Sequence, residues 1–261
     1  MLGALAFICL AAGCGNVARV KLSEGSRQVG HSASLGDRGR HPVAVRCATA
    51  AVVTSSPKIA YAAVVAHVTV ARRQPGGDQV VGRFGRLDLN GFPTVLGVIG
   101  VTTNRGCAPA WYRVELPVLP NGSSGWVPAR ALRVYSVSSR IVISLSKRRL
   151  RLYQSGRLVL QTAVGIGAAG TPTPKGRYFV NERYVLSSAD GPFGPDALGI
   201  SAHSDALQNS WVEHGPIALH GTNEPWTVGQ AASHGCIHLA NAVMRRLFPL
   251  APAGTPVIID A

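Results

Sequence analysis

Residues 217–241 read IALHGTNEPWTVGQAASHGCIHLAN, and this stretch decides how the rest of the chain is interpreted. Histidines are unusually dense in it and just before it, and they surround a single thiol. The residues concerned are His203, His214, His220, His234, Cys236 and His238. Histidines scattered through an ordinary core would not concentrate in this way, so the pattern indicates a site with chemistry of its own.

Three kinds of site fit these residues. In a Cys–His enzyme, an imidazole takes the proton of a thiol whose ordinary pKa of about 8.5 leaves it a poor nucleophile at neutral pH. Gly235 lets the backbone beside Cys236 approach a substrate carbonyl and hold an oxyanion with N–H groups. In a zinc site the thiol and three histidines are ligands, but the spacing His-x-Cys-x-His matches no common zinc pattern. In a structural site Cys236 is a small buried apolar residue.

The quoted stretch resembles the active-site signature of L,D-transpeptidases, the YkuD-type catalytic domain. That signature is His-Gly-Thr, a spacer, and Ser/Thr-His-Gly-Cys followed by a hydrophobic residue. The surrounding segments also agree; they are 141–153 (IVISLSKRRLRLY), 164–178 (VGIGAAGTPTPKGRY) and 254–260 (GTPVIID). The resemblance spans about residues 138–261 and implies a mainly β catalytic domain, a β-sandwich. Helical spacing of apolar residues predicts one short helix over about 240–249.

The resemblance also implies roles for individual residues. Cys236 matches the nucleophile, and His220 matches the general base that takes its proton. His234 matches the second active-site histidine, and Gly235 contributes its backbone to the oxyanion hole. The carbonyl of Gly221 is expected to orient the other nitrogen of His220, the third role that a triad needs.

Four residues are candidates for contact with substrate. Ser233 matches a position that shapes the loop and touches substrate. His238 stands where the family usually has Arg or Asn, and a His there holds a carboxylate only when protonated. His203 could line the cleft, with a strand-end surface position as the alternative. Trp226 could cover the site, or simply pack its loop.

The resemblance implies acyl transfer on peptidoglycan stem peptides. Cys236 attacks the carbonyl before the terminal D-Ala of a tetrapeptide stem, and the side-chain amine of a second stem resolves the thioester into a 3→3 cross-link. Water as acceptor would make the protein an L,D-carboxypeptidase, and a non-catalytic cell-wall-binding protein is the other alternative. Family members are typically acylated by carbapenems. We expect a monomer that uses no cofactor and no metal.

The first residues predict export. Residues 1–14, MLGALAFICLAAGC, are too short to cross a membrane, which takes about 20 apolar residues, and resemble the apolar part of a signal peptide. Small residues before Cys14 also resemble a lipoprotein signal, although Leu10 lies one position early. We therefore predict a protein of the cell envelope or cell wall, with a lipid anchor at Cys14 on the outer face of the plasma membrane as an alternative. Residues 15–40 are polar and Gly/Ser-rich and predict a flexible linker.

Residues 41–137 consist of short β-type runs separated by turns, a pattern typical of a small barrel. The stretch 111–132, WYRVELPVLPNGSSGWVPARAL, resembles bacterial SH3-like wall-binding modules. We therefore predict an SH3-like β-barrel at 41–137, followed by the catalytic domain at 138–261. The aromatic residues Trp111, Tyr112 and Trp126 either line a ligand groove or pack in the barrel core.

The chain is strongly basic, with 26 Lys and Arg against 12 Asp and Glu and a net charge of +14. This balance either favours a polyanionic partner or reflects a basic composition that has no functional role. No basic helix and no interleaving of basic and aromatic residues indicates nucleic acid, which we exclude as a partner. An anionic wall polymer fits the sign of the charge.

The five cysteines predict one disulfide. Cys9 and Cys14 lie in the apolar leader, which leaves Cys47 and Cys107 to pair and Cys236 as a lone reactive thiol. Three unrelated buried thiols are the alternative.

Free-thiol mapping tests this pairing. When unreduced mature protein is denatured and alkylated, peptide mass spectrometry should find Cys236 labelled and both Cys47 and Cys107 blocked. The variant Cys47→Ser should make Cys107 reactive, because a disulfide partner has been removed. Free thiols at both positions in the parent protein would refute the pairing.

Overall fold

The computed structural model describes residues 55–207 and 215–261, which all lie in the compact unit Val45–Ala261. The export segment with Cys14, the linker, Cys47 and His214 lie outside the described residues. Cys107 is disulfide-bonded. Because Cys47 is not described, its pairing with Cys107 stays a prediction.

The described residues are mainly strands with one short α-helix, which confirms the predicted fold class. No helix within them is both long and apolar enough to cross a membrane.

The first seven strands form one sheet in the order β3-β2-β6-β5-β4-β1-β7. They are β1 Ala60–Val65, β2 Thr69–Arg72, β3 Val80–Phe84, β4 Val95–Thr103, β5 Pro109–Glu115, β6 Ser124–Pro128 and β7 Leu132–Val137. Small and β-branched residues such as Ala63, Val114 and Val127 fill its core, as strand propensity favours. Tyr112 packs against this core, whereas Trp126 lines a cavity of about 460 Å³. The SH3-like character of the sheet stays a prediction.

The next ten strands carry the predicted catalytic part. They are β8 Ser139–Ser144, β9 Arg149–Gln154, β10 Arg157–Ala163, β11 Ile166–Gly167, β12 Gly176–Val185, β13 Asp196–His203, β14 Pro216–His220, β15 Ala231–Ser233, β16 Ile237–His238 and β17 Pro256–Asp260. Eight of them form a sheet in the order β10-β9-β8-β17-β12-β13-β14-β16, and β11 pairs with β15. The helix α1, Asn241–Leu247, lies within the predicted range and continues into a 3-10 helix, Phe248–Leu250.

Alternation along the strands of the larger sheet separates an aliphatic core from an outer face. Residues such as Ile141, Leu152, Leu219 and Ile237 are fully buried in this core. Because successive side chains of a strand point to opposite faces, the residues between them lie on the other side of the sheet. The candidate catalytic side chains of His220, Cys236 and His238 therefore lie on that other side.

Phe179 of β12 joins the two sheets. Its side chain is 1% exposed and packs with Ala62, Val95 and Val137 of the first sheet. The backbone comes very close around it, since a Cβ added at Gly97 would lie 3.0 Å from Phe179 Cδ1. The junction of the sheets therefore depends on one large side chain in a tightly fitted space.

Truncation of this side chain should destabilise the protein. We expect Phe179→Ala to lower the free energy of unfolding by about 3–5 kcal/mol, because it removes a buried ring and leaves a cavity. Denaturant unfolding followed by circular dichroism measures the change. Leu89, which is 98% exposed, supplies the control: Leu89→Ala should change the free energy by less than about 0.5 kcal/mol. Equal effects of the two substitutions would contradict this role of Phe179.

Candidate active site

The pairing of β14 with β16 brings the candidate catalytic residues together. The two strands are parallel, with Leu219 opposite Ile237 and His220 opposite His238. Cys236 directly precedes β16, so this register sets it beside Ala218, whose backbone hydrogen-bonds its thiol. Since alternate side chains share a face, Cys236 and His238 lie on the same face as His220. The proposed nucleophile and base are thus neighbours in space.

His220 is held in one orientation. Its side chain is 2% exposed, and its Nδ1 lies 2.5 Å from the carbonyl oxygen of Gly221. A carbonyl only accepts hydrogen bonds, so Nδ1 carries the proton and Nε2 has a free lone pair. The ring also contacts Phe193, at 5.0 Å between centroids, and His238, at 4.8 Å. Nε2 of His220 is therefore the nitrogen that can accept a proton.

The environment of the His220 imidazole and the Cys236 thiol favours the neutral form of each. Burial lowers the pKa of His220 to about 4; the Gly221 carbonyl opposes this shift and His238 reinforces it. Burial raises the pKa of the Cys236 thiol, partly opposed by the hydrogen bond with the backbone of Ala218. Both shifts favour a neutral pair, in which a thiol proton would pass to a general base, over a preformed ion pair.

Gly235 shapes the loop that presents the thiol. Its φ of +114° is in the region that favours glycine, and a Cβ there would lie 2.9 Å from Ile217 Cδ1. Its N–H donates to Ser233 Oγ at 3.1 Å, and that hydroxyl donates to the Cys236 carbonyl at 2.6 Å. Ser233, which is buried, therefore braces the loop from inside.

The amides near the thiol differ in availability. The N–H of Gly235 is already bonded to Ser233. Within residues 55–207 and 215–261, the N–H groups of His234 and Cys236 have no acceptor. These two amides are therefore the donors that an oxyanion would meet first.

A Gly/Pro loop between β11 and β12 supports the same turn. Thr173 Oγ1 donates to the Gly235 carbonyl at 2.8 Å and accepts from the Gly167 N–H at 2.9 Å. Thr171 Oγ1 donates to the Ser233 carbonyl at 3.1 Å. The sequence indicates this loop only through its resemblance to the family, since hydroxyl groups in a Gly/Pro-rich stretch carry no distinctive signal of their own.

His238 is also held as a single tautomer. Thr227 Oγ1 donates its one hydrogen to the Glu224 carbonyl at 2.7 Å, so it must accept from His238 Nδ1, which lies 2.8 Å away. Burial lowers the pKa of His238, Glu224 raises it and His234 lowers it. His238 therefore presents a hydrogen-bond acceptor at Nε2, whereas an arginine at this position, as in many family members, would present a cation.

Two further candidates lie outside the β14–β16 pair. Trp226 is 69% exposed, in the 3-10 helix Pro225–Thr227. His203 pairs with Pro216, four positions before His220, which is about 13 Å along the strand. Its backbone N–H and carbonyl both bond the side chain of Asn121. His234, two positions before Cys236 in the chain, has an exposed side chain.

Asn241 is a positioning residue that the sequence did not single out. Its Oδ1 accepts from the Thr222 N–H at 2.7 Å, and its Nδ2 donates to the Ala189 carbonyl at 2.9 Å. It packs so closely that a Cβ added at Gly221 would lie 2.3 Å from its Oδ1. Asn241 thereby fixes the turn that follows His220, and Phe193, whose ring lies against His220, was likewise not predicted.

In the part of the chain that the structure describes, no group of three or more His, Cys, Asp or Glu side chains is arranged to hold a metal ion.

Comparison with known proteins identifies the family. The family model YkuD, the L,D-transpeptidase catalytic domain, matches residues 138–259. A YkuD protein of Bacillus licheniformis, whose name assigns it to the same family, is 35% identical over 124 residues, which are 48% of this chain and 67% of that protein. The chain belongs to the L,D-transpeptidase family.

Other L,D-transpeptidase relatives match a smaller share of their own length. ErfK/SrfK of Salmonella typhimurium is 30% identical over 166 residues, which are 56% of this chain and 52% of that protein. A crystal structure of an Enterococcus faecium L,D-transpeptidase superposes with a TM-score of 0.34 at 23% identity, over 46% of this chain and 49% of that one. The chain thus spans about two thirds of the YkuD relative and about half of ErfK/SrfK.

The family is one of acyltransferases with a cysteine nucleophile, which confirms the predicted enzyme class. Family members act on peptidoglycan in the cell envelope, which implies an exported protein. The individual catalytic roles of Cys236 and His220 remain proposals, developed below.

The neutral thiol makes a testable prediction about pH. Alkylation of Cys236 by iodoacetamide should accelerate with rising pH through a midpoint above about 8.5, since burial keeps the thiol protonated at neutral pH. Rates are followed by peptide mass spectrometry, with Cys236→Ser giving the background. A midpoint below about pH 6 would instead reveal a thiolate–imidazolium pair in the resting enzyme.

Proposed function

We propose that this protein is a peptidoglycan L,D-transpeptidase that forms 3→3 cross-links through a thioester on Cys236. The observation that carries the proposal is the β14–β16 pairing, which sets a neutral, oriented His220 on the same face as Cys236. Acyl transfer needs a nucleophile, a base and hydrogen-bond donors for the oxyanion. The N–H groups of His234 and Cys236, which have no acceptor within the described residues, supply these donors.

Acylation follows from this geometry. As the sulfur of Cys236 attacks the carbonyl that precedes the terminal D-Ala of a tetrapeptide stem, Nε2 of His220 takes the thiol proton. The N–H groups of His234 and Cys236 hold the oxyanion, and the Gly221 carbonyl stabilises the imidazolium. The C–N bond then breaks, the imidazolium protonates the leaving D-Ala amine, and a thioester remains.

The second step transfers the acyl group. The side-chain amine of another stem attacks the thioester carbonyl, the C–S bond breaks, and the proton lost by the amine returns to sulfur. Water in place of the amine would release a tripeptide, as in an L,D-carboxypeptidase. The proposed partners are therefore stem peptides of the cell wall, and the proposed location is the envelope outside the plasma membrane, with anchoring at Cys14 as a variant of this proposal.

A product assay with purified protein and disaccharide-tetrapeptide tests the function. Cross-linked dimer supports the transpeptidase, tripeptide supports the carboxypeptidase, and wall pelleting without turnover supports a binding protein. Cys236→Ala should abolish turnover, because no thioester can form, and His220→Gln should slow it by about 10²–10⁴-fold through loss of the base. Both variants should retain the thermal transition of the parent. Turnover that survives Cys236→Ala would overturn the mechanism.

The low pKa of His220 sets the acid limit of acylation. Because the base is neutral above about pH 4, the rate of carbapenem adduct formation, read by intact mass, should not fall with acid until the pH approaches that value. The control is Cys236→Ala, which should gain no adduct. A fall centred near the ordinary histidine pKa of about 6.5 would contradict the assigned environment of His220.

A further inference from the structure

The strands farthest from the catalytic edge share one strongly basic face. Between positions 116 and 181 the chain contains ten Lys and Arg residues and no Asp or Glu. Many of them fall on β8, β9 and β12 or on the turns that join these strands. The local charge is therefore far more positive than the composition of the whole chain requires.

The strand register shows how these charges align. Arg151 on β9 pairs with Val142 on β8, Val142 pairs with Ile258 on β17, and Ile258 pairs with Arg177 on β12. This row crosses four strands, so its two arginines lie about 14 Å apart. Arg149, two positions before Arg151, extends the charge by about 7 Å along the strand. All of these side chains lie opposite the aliphatic core.

A second row of cross-strand neighbours on this face ends at a cavity. Arg140 on β8 pairs with Tyr153, whose ring lies 5.1 Å from the Arg140 guanidinium carbon. Arg140, Arg177 and Lys58 line a cavity of about 320 Å³ between the two sheets. The buried Nε of Arg140 has no hydrogen-bond partner within the described ranges. A buried guanidinium N–H without an acceptor is costly, and an anionic oxygen would satisfy it.

The acidic groups near this face are few. Glu115 also lines the cavity, where burial raises its carboxyl pKa and Arg177 lowers it. Asp260 on β17 lies one row away, opposite Ser144, which in turn pairs with Arg149. Two carboxyl groups cannot neutralise four arginines and a lysine, so the face stays cationic and attracts anions.

We propose that this face, defined by Arg140, Arg149, Arg151, Arg177 and Lys58 and here called the arginine strip, binds an extended phosphodiester polymer. Four of its five cations are Arg, whose planar fork can bond two oxygens of one phosphate. Arg151 and Arg177, about 14 Å apart across the strands, can bind separate charges of one extended chain, and Arg149 lies beside one end of this row. Val142 and Ile258, between the arginines, offer apolar contact to the polyol.

The strip and the catalytic strands occupy different parts of the same sheet, β10-β9-β8-β17-β12 on one side and β14-β16 on the other. A polymer held on the strip would keep the enzyme at the wall without occupying its site. Binding to the strip is therefore independent of the proposed transpeptidation and can be tested separately.

The test uses a fluorescently labelled glycerol-phosphate hexamer and the full chain at low ionic strength. Anisotropy should show binding that the triple variant Arg149→Gln/Arg151→Gln/Arg177→Gln weakens at least tenfold. The slope of log Kd against log salt should fall by about 2, since about three phosphate contacts are lost. The matched control is Arg83→Gln/Arg86→Gln/Arg130→Gln, which makes the same charge change at three exposed arginines on or next to the strands of the first sheet. It should weaken binding less than twofold.

Other outcomes overturn the proposal. Equal weakening by the two triple variants would mean that net charge alone attracts the polymer. Polyglutamate of matched charge binding as tightly as the hexamer would refute the phosphodiester. No binding to the parent protein at low salt would refute the site itself. Carbapenem acylation and the thermal transition should be unchanged in both variants, which separates failure of the strip from failure of the fold or of the proposed enzyme.

The variant Arg140→Gln tests separately whether the cavity takes part in binding. The hexamer should raise the melting temperature of the parent protein, because ligand binding stabilises the folded state. The rise should be smaller in Arg140→Gln, which lacks the unpartnered guanidinium. An equal rise in both proteins would remove Arg140 from the site.

Discussion

The parallel pairing of β14 with β16 is the contact on which the active site depends. Leu219 and Ile237 face the aliphatic core, and their burial holds the two strands in one register. A shift of β16 by one residue would turn Ile237 away from the core and place His238 there instead, a cost that the fold avoids. The hydrophobic side of these strands therefore decides where the catalytic side lies.

Burial, which this packing imposes, also sets the chemistry. A thiol and an imidazole taken out of water are each more stable in the neutral form, so burial disfavours a charged pair at this site. The Gly221 carbonyl compensates by orienting His220 and by stabilising it once it becomes charged. The site is thus prepared for proton transfer during attack, while the hydroxyls of Ser233 and Thr173 keep the thiol loop in shape.

The sheet that carries the site serves two distinct surfaces. At one edge, Thr227 of the 3-10 helix bonds His238, and Asn241 at the start of α1 bonds the turn that follows His220. On the other part of the sheet, from β9 to β12, the pairing of the strands aligns the charges. The arginines there stand on one face because they occupy alternate positions of the strands. The first sheet meets this face at Phe179, and the cavity with Arg140 lies at the junction.

The sequence alone determined the kind of chemistry and the class of fold. A lone Cys after Gly, a set of clustered histidines, and apolar alternation in short runs are local properties, and they indicated a site with chemistry of its own in a mainly β structure. The resemblance to L,D-transpeptidases then selected a thiol enzyme among the three kinds of site that these residues fit. The tertiary structure alone decided which groups meet: that Asn241 braces Gly221, that Thr227 selects the tautomer of His238, and that His203 lies away from His220. These are contacts between residues distant in the chain, and their geometry follows from strand register and core packing. Hydroxyl and amide side chains of this kind have no periodic pattern, so no local signal in the sequence could have revealed them.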